Sequence, residues 1–311
     1  MGRILPFGQI ALFTGIRKYT IMNNNQVISI DEDKCIQCRL CAIECPANTA
    51  SADQIHSDQN SEFCDRCFHC YAICPQHAIQ VEGAEEETIP ETHHIGYEDL
   101  LIHLKKRRSH RNFKQVPVTN NVLKLLTDAA KYSPTGGNAQ ELSITIINNR
   151  DTRQELEGAI HAYYDKIVKM LRNPVFRLMM KFSGDAKVRE TARDPNFFAK
   201  IEKIYMEMKK GVSHIFWDAP VVMLFHTGRL LPTAHEDCLL AASNVVLAAM
   251  SLRLGSCFVS LSQQAINSGK KIKQMIGIPT SDRIHAVLIL GYPAVGYRRF
   301  PPRQEKNVLF R

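Results

Sequence analysis

Cys35-Ile36-Gln37-Cys38-Arg39-Leu40-Cys41-Ala42-Ile43-Glu44-Cys45-Pro46 and Cys64-Asp65-Arg66-Cys67-Phe68-His69-Cys70-Tyr71-Ala72-Ile73-Cys74-Pro75 are one pattern written twice. Each cysteine and the closing proline recur after a shift of 29 residues, which marks an internal duplication. Eight of the ten cysteines fall in these blocks. Three chemistries compete for them. A disulfide framework suits short secreted chains, and thiols two residues apart pair poorly. Zinc is satisfied by four ligands, usually two C-x2-C pairs across a longer loop. A cubane cluster needs four soft thiolates around a compact core, and a tight loop offers three of them at this spacing. The pattern favours two iron–sulfur clusters.

Working outward, Val27-Ile28-Ser29-Ile30 before the first block and Ala78-Ile79-Gln80-Val81 after the second read as short strands. Residues 1–26 read as an N-terminal extension, with Met22 just ahead of the first strand; a targeting or membrane-surface segment is the alternative. No run approaches the 18 or so apolar residues of a membrane span. The chain is expected in the cytoplasm. At 311 residues it has room for two domains, and charge divides it in two. Residues 31–100 carry 15 acidic against 3 basic residues, so the remainder carries +20 of a net +8. An acidic module fused to a basic one argues against a nucleic-acid binder; it suits halves that dock on each other, or a basic half that binds an anionic cofactor.

Residues 83–96 read as an acidic, aperiodic linker with Gly83 and Pro90. A second domain, 97–311, opens on an amphipathic helix and then a basic run, 105–113. Taken alone such a run is more often solvated surface than a phosphate site. Thr119-Asn120 caps a further amphipathic helix, which ends in the glycine-rich turn 133–140. Strands are expected at 143–147, 220–225, 256–261 and 284–290, and an alanine-rich helix over 235–254, closed by Gly255 as C-terminal glycine. Elements of both kinds alternate, so the class is α/β or α+β.

The two halves resemble two known families. The N-terminal blocks are similar to bacterial two-cluster ferredoxins, in which the fourth cysteine ligates the other cluster. That resemblance implies one [4Fe–4S] cluster on Cys35, Cys38, Cys41 and Cys74, and another on Cys64, Cys67, Cys70 and Cys45, in a domain spanning 27–82. The link 47–60 is longer and more polar than in the family's shortest members. The C-terminal half resembles the FMN-dependent nitroreductases through four motifs in the right order. These are Arg107, Ser109, Arg111 and Phe113; Ser133, Pro134, Asn138 and Gln140; Asn244, Leu247, Ala248, Ala249, Leu254, Gly255 and Cys257; and Gly291-Tyr292-Pro293.

This second resemblance implies an α+β domain whose central mixed sheet is flanked by helices. It implies that Arg107, Arg108, Ser109 and Arg111 hold the FMN phosphate, with Arg303 and Arg299 returning from the C-terminal tail to help. The turn bearing Ser133, Pro134, Asn138 and Gln140 would reach the FMN of a partner subunit, making a homodimer. Val259 and Ser260 would set backbone groups against flavin N5, although the family more often has glycine at 260. No side-chain acid or base is expected, because the chemistry belongs to the cofactors. The implied activity is an iron–sulfur flavoprotein oxidoreductase that reduces a nitroaromatic, quinone or flavin-like acceptor, with NAD(P)H or a redox protein as donor. The rival readings are an NAD(P)H oxidase exporting electrons through its clusters, and a redox sensor or carrier without turnover.

Other features take blander readings. Cys238 and Cys257 lie in apolar stretches and read as buried core thiols. The surface of Ala241, Ala242, Ala248 and Ala249 reads as tight helix packing, at a dimer interface if anywhere beyond the core. His69 reads as a loop filler and His93-His94 as linker. Residues 163–211, rich in Met, Lys and Phe, read as helices over the flavin pocket that choose the substrate.

Overall fold

A computed structural model describes residues 28–45, 64–84, 87, 89–90, 94–210, 215–228 and 231–311. The 1–26 extension, Val27, the polar link 47–60, His93 and part of the 83–96 linker lie outside the described residues. Contacts divide the chain at Ile89 into two units, with Gly137–Ala139 grouping with the first.

In the first unit, β1 (Ile28–Ile30) pairs antiparallel with β2 (Ile79–Val81), Ile28 facing Val81 and Ile30 facing Ile79. Short helices α1 (Leu40–Ile43) and α2 (His69–Ile73) stand at equivalent places of the two repeats. His69 therefore opens a helix and is no loop residue.

The second unit is built around one sheet. Its elements are α3 (Tyr97–Lys106), α4 (Asn120–Lys131), β3 (Ser143–Ile147), α5 (Arg150–Arg172), α6 (Pro174–Lys181), α7 (Ala186–Arg193), α8 (Pro195–Lys209), β4 (Val221–Thr227), α9 (Ala234–Ser251), β5 (Gly255–Phe258), α10 (Ser260–Ser268), α11 (Lys270–Met275) and β6 (Arg283–Gly291). Thr119 caps α4 as expected, its hydroxyl accepting from Val122 N at 3.4 Å. The sheet order is β3-β4-β6-β5, and all three ladders are antiparallel. The sheet expected to be mixed is therefore antiparallel in its strand ladders; among the described residues the parallel pairing is an isolated bridge, Ser109 to Ser256, on the β5 edge.

Every residue of β4 is buried, and the strand's period of two sorts them onto two cores. Val221, Met223 and Phe225 join α4 and α9 on one face. Val222 and Leu224 join α5 and α10 on the other. A strand covered on both faces reads as a continuous hydrophobic run, which is why Val221 to Phe225 has no alternation. Ala241, Ala242 and Ala249 lie in the protomer's own core against this sheet, so they serve packing within the chain.

Two sequence expectations about this region need correction. Gly255 does not close α9: the helix ends at Ser251, and Arg253 adopts the left-handed conformation with φ 59°. Gly255 instead opens β5, where a Cβ would stand 2.5 Å from His110 Cγ. Glycine is required there by close approach, and not by φ. The strand expected to reach residue 261 stops at Phe258, because Ser260 opens α10 with Val259 as its N-cap.

Candidate cofactor sites

In the first unit the loops carrying the cysteines are bent in the same way twice. Gln37 and Arg39 adopt left-handed φ values of 53° and 66°; Arg66 and Phe68, their counterparts 29 residues on, adopt 49° and 58°. A non-glycine residue pays about 1–2 kcal/mol for that conformation. It recurs at the same places between the cysteines of both blocks. Cys35, Cys38, Cys41 and Cys74 line one cavity of about 590 Å³, closed by Ile30, Ala78 and Ile79. Cys74 comes from the second block, the other three from the first.

The thiols crowd one another. Burial first, opposed by the Tyr71 backbone and reinforced by Cys67, Cys64 and Cys41, pushes the Cys70 thiol up to about 11. Burial likewise raises Cys41, with Cys38 and Cys74 adding to the rise. Such a set is held as thiolates only by a strongly cationic core, so the donors fit an iron–sulfur cluster. The Ala78 N–H already points at Cys74 Sγ, 3.2 Å away, the kind of bond that tunes a cluster's potential.

In the second unit three sequence-distant motifs meet. The loop 107–113 leaves α3 and runs along the β5 edge. Ser109 bridges Ser256, and His110 N donates to the Ser256 carbonyl at 2.9 Å. Lys114 N donates to the Tyr292 carbonyl (2.8 Å), and Ala294 N to that of Asn112 (3.0 Å), which ties the loop to the segment after β6. Phe113 is buried beneath it. The arginines are arranged by aromatic rings: Arg108 lies 5.9 Å from the Tyr297 ring centre and Arg111 5.7 Å from that of Trp217, the sole tryptophan. Arg108 Nη1 also donates to the Lys105 carbonyl at 2.6 Å. The loop therefore presents several guanidinium groups on a backbone fixed from two sides, which suits a phosphate dianion.

The turn 133–140 is anchored elsewhere in this unit. Ser133 Oγ donates to the Ala130 carbonyl (2.9 Å). Gly136 N donates to Asp237 Oδ1 (3.1 Å), and the Thr233 hydroxyl donates to Asp237 Oδ2 (3.2 Å). Gly137, Asn138 and Gln140 are all left-handed, with φ of 55°, 50° and 50°. Asn138, which groups with the first unit, donates from Nδ2 to the Arg66 carbonyl of that unit at 2.8 Å. Asn244 reaches the Ala129 carbonyl (3.4 Å), so its place in the sequence motif reflects support of the turn's preceding helix.

Val259 is buried, its N–H donating to the Val287 carbonyl at 2.9 Å, whereas Ser260 is exposed at the start of α10. Arg299 and Arg303 lie in the exposed tail 294–311, which has no helix or strand. The structure thus gathers 107–113 with β5 and the segment after β6, and it leaves the two tail arginines outside that gathering. Sequence reading missed Asp237, Trp217 and Tyr297. Asp237 carried a faint signal as an acid in a helix's first turn; the two rings carried none.

Of the other cysteines, Cys238 and Cys257 are buried and free. Burial, then Asp237, pushes the Cys238 thiol up to about 12, which removes its nucleophilic form.

Comparison with known proteins agrees with this geometry. Residues 104–292 match the nitroreductase family model, and residues 27–75 match that of a 4Fe-4S dicluster domain. A nitroreductase with bound FMN from Desulfitobacterium hafniense superposes with a TM-score of 0.50 at 20% identity, covering 68% of this chain and 97% of that one. An iodotyrosine deiodinase of Daphnia pulex is 21% identical over 200 residues, 64% of this chain. A component of an ion-translocating oxidoreductase complex from Methanosarcina acetivorans is 38% identical over 55 residues, 18% of this chain. The chain spans 60% of the deiodinase's length and 21% of that component's.

Proposed function

The chain belongs to the nitroreductase family, and from that premise we propose that it passes electrons between two [4Fe–4S] clusters and FMN to reduce a small acceptor, nitroaromatic, quinone or flavin-like. It is an FMN-dependent oxidoreductase with a dicluster domain on the same chain. Bound, these groups supply single-electron steps and their conversion to two-electron chemistry at the flavin.

The residues have the following proposed roles. Cys35, Cys38, Cys41 and Cys74 hold one cluster; Cys64, Cys67, Cys70 and Cys45 hold the other. Arg107, Arg108, Ser109 and Arg111 bind the FMN phosphate, and the tail's Arg299 and Arg303 fold towards it. Main-chain groups at Val259 and Ser260 face the reactive edge of the ring. Ser133, Pro134, Asn138 and Gln140 approach the FMN of a second copy, in a homodimer. No side chain serves as acid or base.

The observation that carries this reading is the cavity where Cys74 joins Cys35, Cys38 and Cys41, since a thiolate set drawn from both blocks is what a duplicated two-cluster loop needs.

Anaerobic purification with iron, sulfide and FMN quantitation tests it. The expected content is about eight iron and eight sulfide per chain, with one FMN. Reduction by NADH, NADPH or a low-potential donor, followed by a panel of acceptors, then gives the direction of electron flow. Tightly bound zinc with iron near zero would sink the cluster assignment. Bound FMN with no acceptor reduced under any donor would replace the enzyme by a redox sensor.

A further inference from the structure

Helix α6 presents a face that its own unit leaves uncovered. Asn173 caps it, its side-chain oxygen accepting from Val175 N at 2.9 Å and Phe176 N at 3.4 Å. Phe176 and Met180, one turn apart, face inward and are half-buried. Arg177 is drawn inward as well: its Nε donates to the Leu171 carbonyl at 2.5 Å, and its guanidinium stands 4.6 Å over the Phe198 ring. The opposite stripe is Val175, Leu178, Met179 and Phe182, at helical spacing i, i+3, i+4, i+7, and each is 56% to 80% exposed. Single exposed apolar residues are ordinary, but four on one stripe form a patch that calls for a partner.

Charge selects the partner. Residues 163–211 hold 12 Lys and Arg against 6 Asp and Glu, a local balance of +6. Two of those acids are already engaged: Asp165 with Lys169 and Lys209, and Glu202 with Arg172. A second copy docked symmetrically would set this basic face against itself. An apolar stripe rimmed by cations is instead complementary to an anionic lipid surface. We propose that α6 is an interfacial anchor that lies on anionic membranes, with Val175, Leu178, Met179 and Phe182 in the headgroup boundary. The neighbouring exposed cations, Lys181 and Arg193 among them, would face lipid phosphates. Among the described residues no helix is long and apolar enough to cross a membrane, so the attachment is peripheral. It stands independently of the redox reading, because its readout is binding alone.

The test is flotation of the full-length holoprotein with phosphatidylcholine vesicles, with and without about 30% phosphatidylglycerol, at low and high salt. Wild type is expected to float with the anionic vesicles and to be released by salt. Leu178→Ser/Phe182→Ser should weaken the partition by roughly tenfold or more while keeping its melting temperature and FMN content. Val175→Ser/Met179→Ser provides a second pair should the first fail to fold. The variant comparison separates α6 from any contribution of residues 1–26. A wild-type chain that stays unbound, or stripe variants that float equally well, overturns the proposal. A stripe variant that changes the oligomeric state without vesicles overturns it too, assigning the face to a protein contact.

Discussion

Gly255→Ala should release the loop 107–113 from β5 without touching an arginine. The added methyl would stand 2.5 Å from His110 Cγ, 2.8 Å from its Nδ1 and 2.9 Å from its Cβ. Rotation of the side chain moves Cγ and Nδ1 but leaves Cβ in place, so a rotamer change alone does not clear the 2.9 Å contact. His110 is also held: its N–H bonds the Ser256 carbonyl at 2.9 Å, and its ring meets Tyr297 edge-on at 5.2 Å. The loop must therefore move off β5, or the strand must bend. Overpacking of this kind costs about 1–3 kcal/mol. If the loop absorbs it, the FMN dissociation constant rises roughly 5- to 150-fold, at about 1.4 kcal/mol per tenfold. Titration of the flavin-free protein with FMN, followed by flavin fluorescence, measures the change, and a thermal melt shows how much falls on stability. Gly255→Ala combined with His110→Ala removes the two shortest contacts, leaving only the one to Cβ at 2.9 Å, and should recover part of the FMN affinity, giving a coupling between the two sites. Wild-type FMN affinity and melting temperature in Gly255→Ala alone would refute the reasoning.

Three further outcomes are expected. Cys74→Ala should cost about half the iron, and electron paramagnetic resonance of the reduced protein should retain the signal of the cluster on Cys64, Cys67 and Cys70; loss confined to that cluster would refute the crossed ligand sets. Asp237→Ala leaves the Gly136 N–H and the Thr233 hydroxyl without their acceptor, and should destabilise by about 1–3 kcal/mol in denaturant melts. His285 is buried in β6, and burial first, then His235 and Arg283, holds its pKa below the ordinary value of 6.5. The neutral form is thus favoured by folding, so below about pH 6.5 the unfolded chain binds the proton first and stability falls. Melting temperature should drop between about pH 6.5 and 5, and less so in His285→Gln; an equal drop in both would exclude His285 as the cause.

The cysteine chemistry was legible in the sequence because ligand spacing is local. Three thiols in seven residues constrain one loop, and the repeat after 29 residues states the pairing problem outright. The left-handed bends at Gln37, Arg39, Arg66 and Phe68 were not legible, since none of these residues prefers that conformation. The strand cores were equally plain. Val221 to Phe225 is a continuous apolar run, and the run itself reports cover on both faces.

What the sequence determined by itself was composition of matter at each site: eight thiols in two identical frames, and a cluster of arginines beside a serine. Local spacing and charge carry that information. What only the tertiary structure decided was company. It brought Cys74 to the first block's cavity, turned Arg108 and Arg111 onto Tyr297 and Trp217, and tied Gly136 to Asp237 across a hundred residues. It also moved Gly255 from a helix end to a strand whose missing Cβ makes room for His110. The physical reason is the same in each case. Contacts between distant segments depend on how the sheet and its helices pack, and a helix-closing glycine and a space-making one are written with the same letter.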